Sequence, residues 1–380
     1  MLVPKLRFKE FNNQWNTYKL EELVIFLDGQ RKPIKDSDRN KFRGVYPYYG
    51  ASGIIDYVKD YIFDKDTILL SEDGANILTR STRLAFIASG KYWVNNHAHV
   101  LEPKNTNIYF LCELLESLNY EQYNTGTAQP KLNQEICKNI ELTVPDIMEQ
   151  SKIGNFLSLL DKKIELQKKK IETLKIYKTG LFNKIYKEKL NDIKESELRE
   201  YAYLQGGYAF KSELFSKKGT PIIRIANINE NIVDLKDVVF YDKEIPIDFK
   251  FEINTGDILI AMSGATTGKM GIYKEKIKSY LNQRVGKIVL KRKDMIYSYL
   301  YFLFELSSYN MQLNTKLVAG AQPNISPTDI ENLKFKIPSI KLQEHIANIV
   351  MNINKKLEIE GNKLQELNEL KKGLLQKMFI

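Results

Sequence analysis

Residues 128–186 and 321–379 superimpose at a constant offset of 193 with eighteen identities in 59 positions and no gap. A fixed internal period means that one supersecondary unit has been used twice, and it constrains the architecture before any single residue does. The matched pairs include Gln129 and Gln322, Pro130 and Pro323, Pro145 and Pro338, and Gln150 and Gln343. Lys162-Lys163 matches Lys355-Lys356, and Gly180-Leu181 matches Gly373-Leu374. The Gln-Pro and Pro matches lie outside any helical pattern, so two unrelated helices rich in Lys, Leu and Glu do not account for them. Upstream the halves diverge. Leu20-Glu21-Glu22 answers Leu198-Arg199-Glu200, Gly29 answers Gly207, and Asp66–Leu70 answers Gly256–Ile260, but no continuous register joins these echoes. The preserved parts are expected to do one job twice, and the variable parts related jobs on different targets.

Within the repeat, positions 153, 157, 160, 164, 167, 171, 174, 178, 181 and 185 alternate steps of four and three, and eight of the ten are apolar. Positions 346–378 repeat this, with polar breaks at the same places: Gln167 and Glu360, Lys178 and Lys371. A 3.5-residue apolar period is the seam of a coiled coil. Pro145 and Pro338, each after a strand-like run, mark the two helix starts. At about 40 residues each helix is ~60 Å long, more than a small domain can cover. The two are therefore expected to pack on each other through Ile153, Leu157, Leu160, Ile164, Ile171, Leu174 and Leu181 of the first and Ile346, Val350, Ile353, Leu357, Leu364, Leu367 and Leu374 of the second. Leu166, Tyr177, Ile359 and Leu370 are expected to carry the stripe past the breaks. The short polar connection Leu190–Arg199 favours an antiparallel pair; dimerisation through separately packed helices is the alternative. The expected fold class is α+β, with mixed α/β domains over 1–146 and 191–338 and long antiparallel coiled-coil helices over 147–190 and 339–380, pseudo-two-fold symmetric.

Composition narrows the partners. A chain of 380 residues with 43% hydrophobic, 11% aromatic and 27% charged residues has room for two globular domains and does not read as disordered. No apolar run is long enough to span a bilayer, and the start, MLVPKLRFKEFNNQW, lacks a signal-peptide core, so a cytoplasmic protein without membrane attachment is expected. Cys112 and Cys137 are too few for a disulfide framework or a structural zinc site. The net charge of +10 favours a polyanion. The Lys excess on the first helix reads as a solvated face of a scaffold and docking helix and not as a DNA contact.

In the variable parts, short β-branched and aromatic runs alternate with Gly, Asn and Asp turns, and several clusters combine groups that suit phosphates and base edges. Candidate DNA contacts in the first half are Arg39, Lys41, Arg43, Tyr48 and Tyr49, then Asn95, Asn96 and His97. In the second half they are Arg224 and Asn227, the Gly-rich loop residues Ser263, Thr266, Thr267 and Lys269, and Asn282, Gln283 and Arg284. Residues 264–270 depart from a P-loop, with three residues between the glycines and Met270 after the Lys. His97 and His99 would share a strand face without a recognisable third ligand. No nucleotide fingerprint, no amino-methylation element and no GxSxG is present, so no catalytic residue and no metal site is assigned.

Two variable domains, each ending in a Gln-Pro turn, a strand into Pro, a Gln-x-x-Ile helix start and a heptad helix closing with Gly-Leu, resemble the specificity subunit of Type I restriction-modification systems. Tyr48–Ile55 and Pro221–Ile228 are similar to recurrent segments of its target recognition domains. The resemblance implies a bacterial-defence protein that reads a bipartite double-stranded DNA site, one half-site per domain, with an unread spacer set by the helices. It further implies a non-catalytic chain that binds no cofactor, brought together with two methyltransferase subunits and two restriction/translocase subunits. S-adenosylmethionine, ATP and Mg2+ would belong to those partners. A stand-alone coiled-coil DNA-binding regulator is the competing reading. One departure is Leu342-Gln343 where the first copy has Glu149-Gln150, which puts equivalent docking at the two helices in doubt.

Overall fold

A computed structural model describes residues 3–126, 129–229, 231–242, 246–317 and 324–380. Gln322 and Pro323 lie outside the described residues. The two long helices form where the period places them, over Ile147–Lys184 and Ile340–Met378. Each begins two residues after its proline. Asp146 caps the first by accepting from the Met148 and Glu149 amides, which satisfies donors that have no partner within the helix.

Contacts divide the chain into two units that cut across the four segments read from the sequence. One comprises Met1–Lys169 and Gly361–Ile380, the other Lys170–Glu360. The physical reason is that each unit's core includes parts of both helices. In the first unit Ile153 and Leu157 share a core with Phe110, Leu114, Met378 and Phe379. In the second, Phe182 and Ile185 share one with Phe302, Phe335, Ile346 and Val350. The helices run antiparallel within each unit: Asp161 takes Lys371 at 2.6 Å in one, and Glu360 takes Lys170 at 2.8 Å in the other.

The first unit holds two four-stranded sheets, one ordered Val24–Phe26, Ala98–Pro103, Thr67–Ser71, Ala85–Ala88 and the other Gly53–Val58, Arg43–Gly50, Lys91–Val94, Phe63–Asp64. The second unit repeats both orders inside larger sheets: Ala202–Gly206, Val285–Leu290, Ile258–Ala261, Met270–Ile272, and Val239–Tyr241, Thr220–Ile223, Ser279–Leu281, Glu252–Ile253. The central parallel pairing recurs too, Tyr48 with Trp93 and Ile222 with Tyr280. In each unit an outer strand pairs antiparallel with the strand that runs into the helix proline, Asn16–Lys19 with Glu141–Val144 and Glu195–Glu197 with Lys334–Lys336. Among the described residues no helix is long and apolar enough to cross a membrane.

The seam positions differ along each helix. Ile153, Leu157, Leu160, Ile164, Ile346 and Val350, in the first half of each helix, are buried, whereas Ile171, Leu174, Leu181, Ile353, Leu357, Leu364, Leu367 and Leu374 are half-buried. Leu166, Tyr177, Ile359 and Leu370, expected to bridge the polar breaks, are instead exposed. Ion pairs fill the breaks: Glu360 with Lys170, Lys371 with Asp161 and Glu113, and Lys178 with Glu305.

Candidate nucleic-acid interface

Three loops that are far apart in sequence meet at one edge of the first unit. The Asn95 amide donates to the Tyr49 carbonyl at 3.0 Å, the Glu72 amide to the His97 carbonyl at 2.9 Å, and the Leu132 amide to the Glu72 carbonyl at 2.7 Å. Asp73 bridges to Lys131. The second unit makes the same set. Asn282 donates to Ile223 at 3.2 Å, Met262 to Arg284 at 2.9 Å and Ile325 to Met262 at 2.8 Å, while Ser263 bridges to Asn324. Backbone donors and acceptors left unpaired here would be costly, so each loop is held by the others and the end of the sheet is rigid. Gly74 and Gly264 occupy the same corner with φ of 107° and 79°, a conformation that glycine adopts without strain. The duplication therefore extends through the variable domains, where the sequence shows only isolated echoes.

This frame sorts the candidate residues. Tyr48, Asn95 and Asn227 are corrected to structural roles. Tyr48 is 1% exposed and its hydroxyl accepts from the Ile34 amide. The buried Asn95 carboxamide accepts from the His97 amide at 2.8 Å. Asn227 is 2% exposed and is saturated by the Arg224 amide and the Lys236 carbonyl. Tyr49 packs edge-on against Tyr92, and burial, then the neighbouring Tyr57, raises its pKa. Arg224 is partly committed to the Asp237 carbonyl. Thr266 and Thr267 donate to the carbonyls of Ile225 and Gly264. The 263–269 loop is no phosphate cradle: the Thr267, Gly268 and Lys269 amides all point inward, to Gly264, Ala261 and Thr266. Arg39 and Lys41 pair with Asp36 and Asp38 on a separate part of the first unit, near the exposed Arg43. What remains at the loop edge is Asn96 and His97 in the first unit and Ser263, Gln283 and Arg284 in the second, with Lys269 exposed at the end of its loop. In the second unit Ser263, Gln283 and Arg284 line a groove of about 820 Å3 that also takes in Asn324 and Ser326, which the sequence reading missed.

The two histidines part company. His97 is exposed and pairs through Nδ1 with Asp73 at 2.7 Å. His99 is 1% exposed, with Nδ1 on Asp28 at 2.6 Å and Nε2 on the Leu132 carbonyl at 2.8 Å. Asp28, Glu72 and His99 have the ligand types and spacing of a metal site. The chemistry does not fit one, because Arg31 reaches Glu72 at 2.7 Å and Asp28 at 3.6 Å and already supplies the positive charge. With a carbonyl at one nitrogen and a carboxylate at the other, the ring carries both protons. Burial opposes that charge, but the hydrogen bonds to Asp28 and Cys137 outweigh it and push the His99 pKa up to about 10. A raised folded-state pKa gives stability that is full below the free value near 6.5 and is lost as pH rises toward 10. The first unit is thus expected to lose of the order of a few kcal/mol between pH 7 and pH 10. Burial pushes the Cys112 thiol up to about 12 and acts in the same direction from pH 9. Thermal melts over that range should show the loss, and His99→Gln should flatten it. An unchanged pH profile in the variant would rule out His99 as its source.

The repeated glutamines clamp the helix starts. Gln150 accepts from the Asn107 amide and donates to the Pro145 carbonyl; Gln343 does the same with Ile296 and Pro338. Glu149 is fully buried on Arg7, which grips it at 2.7 Å through both Nε and an outer nitrogen. Its carboxylate is thus committed within the first unit, and Leu342 stands at the matching place in the second copy.

The comparisons with known proteins agree with this architecture. The Type I restriction enzyme MjaVIII specificity subunit of Methanocaldococcus jannaschii is 24% identical over 97% of this chain and 94% of its own length. A Haemophilus influenzae protein named as a putative Type I restriction enzyme specificity subunit is 26% identical over 87% of this chain and 85% of its own. Among solved structures, the S subunit of a Type I restriction-modification system from M. genitalium matches with a TM-score of 0.67 at 18% identity, covering 100% of this chain and 99% of that one. The family model of the Type I restriction modification DNA specificity domain matches residues 12–175 and again 191–369, and the chain belongs to that family.

Proposed function

We propose that this chain reads a bipartite DNA site, one half-site per unit, and leaves the intervening base pairs unread. The observation that carries the reading is the pair of identical hydrogen-bond frames presenting different side chains: Asp73, Asn96, His97 and Lys131 on one, Ser263, Gln283, Arg284 and Asn324 on the other. One frame used twice suits one type of ligand, and different side chains suit two different sequences. Coupling two modest contacts through one chain makes the second an intramolecular event, which raises affinity only for sites of the right spacing. The chain acts in a cytoplasmic complex, docking methyltransferase and restriction subunits and performing no chemistry itself. S-adenosylmethionine, ATP and Mg2+ serve those partners. The Lys168–Lys170 face and the exposed Leu159, Leu166 and Tyr177 make the long helices the natural docking surface.

Two experiments test this. Co-expressed with its methyltransferase partner, the tagged chain should co-purify with it, and methylation should appear only in the complex. Methylation by the isolated chain would overturn the division of labour. Exchanging residues 1–145 for those of a relative with another target should change one half-site and leave the other intact; a change in both would contradict the autonomy of the units.

A further inference from the structure

The two frames can be compared position by position, and the comparison separates residues that hold the frame from residues that it displays. Gly74 and Gly264, Asn95 and Asn282, and Leu132 and Ile325 keep their character because their backbones or buried side chains make the shared contacts. At the four displayed places every residue differs: Asp73 against Ser263, Asn96 against Gln283, His97 against Arg284, and Lys131 against Asn324. The chemistry of the two displays differs as well. In the first unit the charges are already spent on each other, His97 on Asp73 at 2.7 Å and Lys131 on Glu72 at 3.4 Å. In the second, Gln283 and Arg284 are exposed, and among the described residues neither side chain has a partner. Ser263 Oγ, beside them in the groove of about 820 Å3, is buried with no partner among the described residues. An unpaired planar guanidinium next to an unpaired carboxamide is the pair of groups that matches guanine and adenine edges two hydrogen bonds at a time.

We infer that these four places in each unit are the base-reading positions, and that Arg284 and Gln283 read a guanine and a neighbouring adenine in the half-site of the second unit. This rests on the bipartite reading above. The test uses the full chain co-expressed with its methyltransferase partner in a host lacking adenine methylation, with the methylated genome sequenced. Binding is measured on duplexes carrying the wild-type site and single-base changes. Arg284→Ala and Arg284→Lys are both expected to lose ~10- to 100-fold of discrimination at one guanine of one half-site, since Lys keeps the charge but not the two-pronged fork. Gln283→Ala is expected to relax the adjacent base pair, and the other half-site should not change in any variant.

If Arg284→Lys restores the original preference, or Arg284→Ala weakens all sites evenly, Arg284 is a phosphate contact and the inference falls. It falls equally if the consensus is unchanged. A wild-type chain that gives no two-part site would instead sink the bipartite reading. Should Arg284→Ala fail to accumulate, Gln283→Ala decides alone, because that exposed side chain holds nothing in the fold.

Discussion

Inserting four residues after Lys169 and four after Glu360 is expected to lengthen the unread spacer by about one to two base pairs while leaving both half-sites unchanged. Four residues add ~6 Å to a helix, against 3.4 Å per base pair of duplex. The two insertion points face each other in the antiparallel pair, as the contact of Lys170 with Glu360 fixes. They also coincide with the boundaries of the two compact units, so every contact within each unit is kept. The effect on specificity should be close to absolute, because a chain whose second contact cannot reach its half-site loses the whole advantage of linkage. A methylome of cells carrying the double insertion, together with the methyltransferase partner, reads the spacer directly. Retention of the original spacer would show that something other than helix length sets it.

The second large effect concerns the polar breaks in the seam. Lys178 and Lys371 are repeat-equivalent, and each meets a glutamate of its domain: Lys178 meets Glu305, at the end of the helix Tyr297–Phe304, and Lys371 meets Glu113 at 2.9 Å. These carboxylates are buried, so removing the cation leaves a charge that water cannot reach. The two sites are not equal. Glu113 keeps Arg83 when Lys371 is lost, whereas among the described residues Glu305 keeps the weak amide contact of Asn354 at 3.4 Å and its neighbour Tyr301. Lys178→Ala is therefore expected to cost ~3 kcal/mol or more and Lys371→Ala ~1 to 2 kcal/mol. For a unit of this size that is roughly 6 to 12 °C in the melting transition of the second unit and roughly 2 to 8 °C in the first. Lys178→Met combined with Glu305→Leu should recover most of the loss, since replacing both partners leaves no orphan charge. Equal losses at the two sites, or no recovery in the double variant, would contradict this account of the breaks.

The helices were legible in the sequence because a 3.5-residue period survives substitution: Leu160 can become Ile353 and Ile171 can become Leu364 without moving the stripe. The common frame of the variable domains was not legible, for a definable reason. Its equivalent residues stand 174 apart at Tyr49 and Ile223, 187 apart at Asn95 and Asn282, and 193 apart at Leu132 and Ile325. Loops of different length between them destroy any fixed offset, while the backbone hydrogen bonds that define the frame place no demand on side-chain identity. Burial was the other blind spot. Tyr48 and Asn227 carry the chemistry of a DNA contact but face inward, and nothing in a run such as Arg43–Tyr49 says which face of the strand is covered. The Asp28, Arg31, Glu72 and His99 network joins residues from three places in the chain, and only folding shows that its charges neutralise one another.

The central claim, one half-site per unit, is tested most directly by sequencing the methylated genome of the host with and without this gene. The expected result is a single two-part motif with a spacer of fixed length whose methylation disappears entirely when the gene is deleted. Methylation that persists after deletion, or a motif that is contiguous, would contradict it.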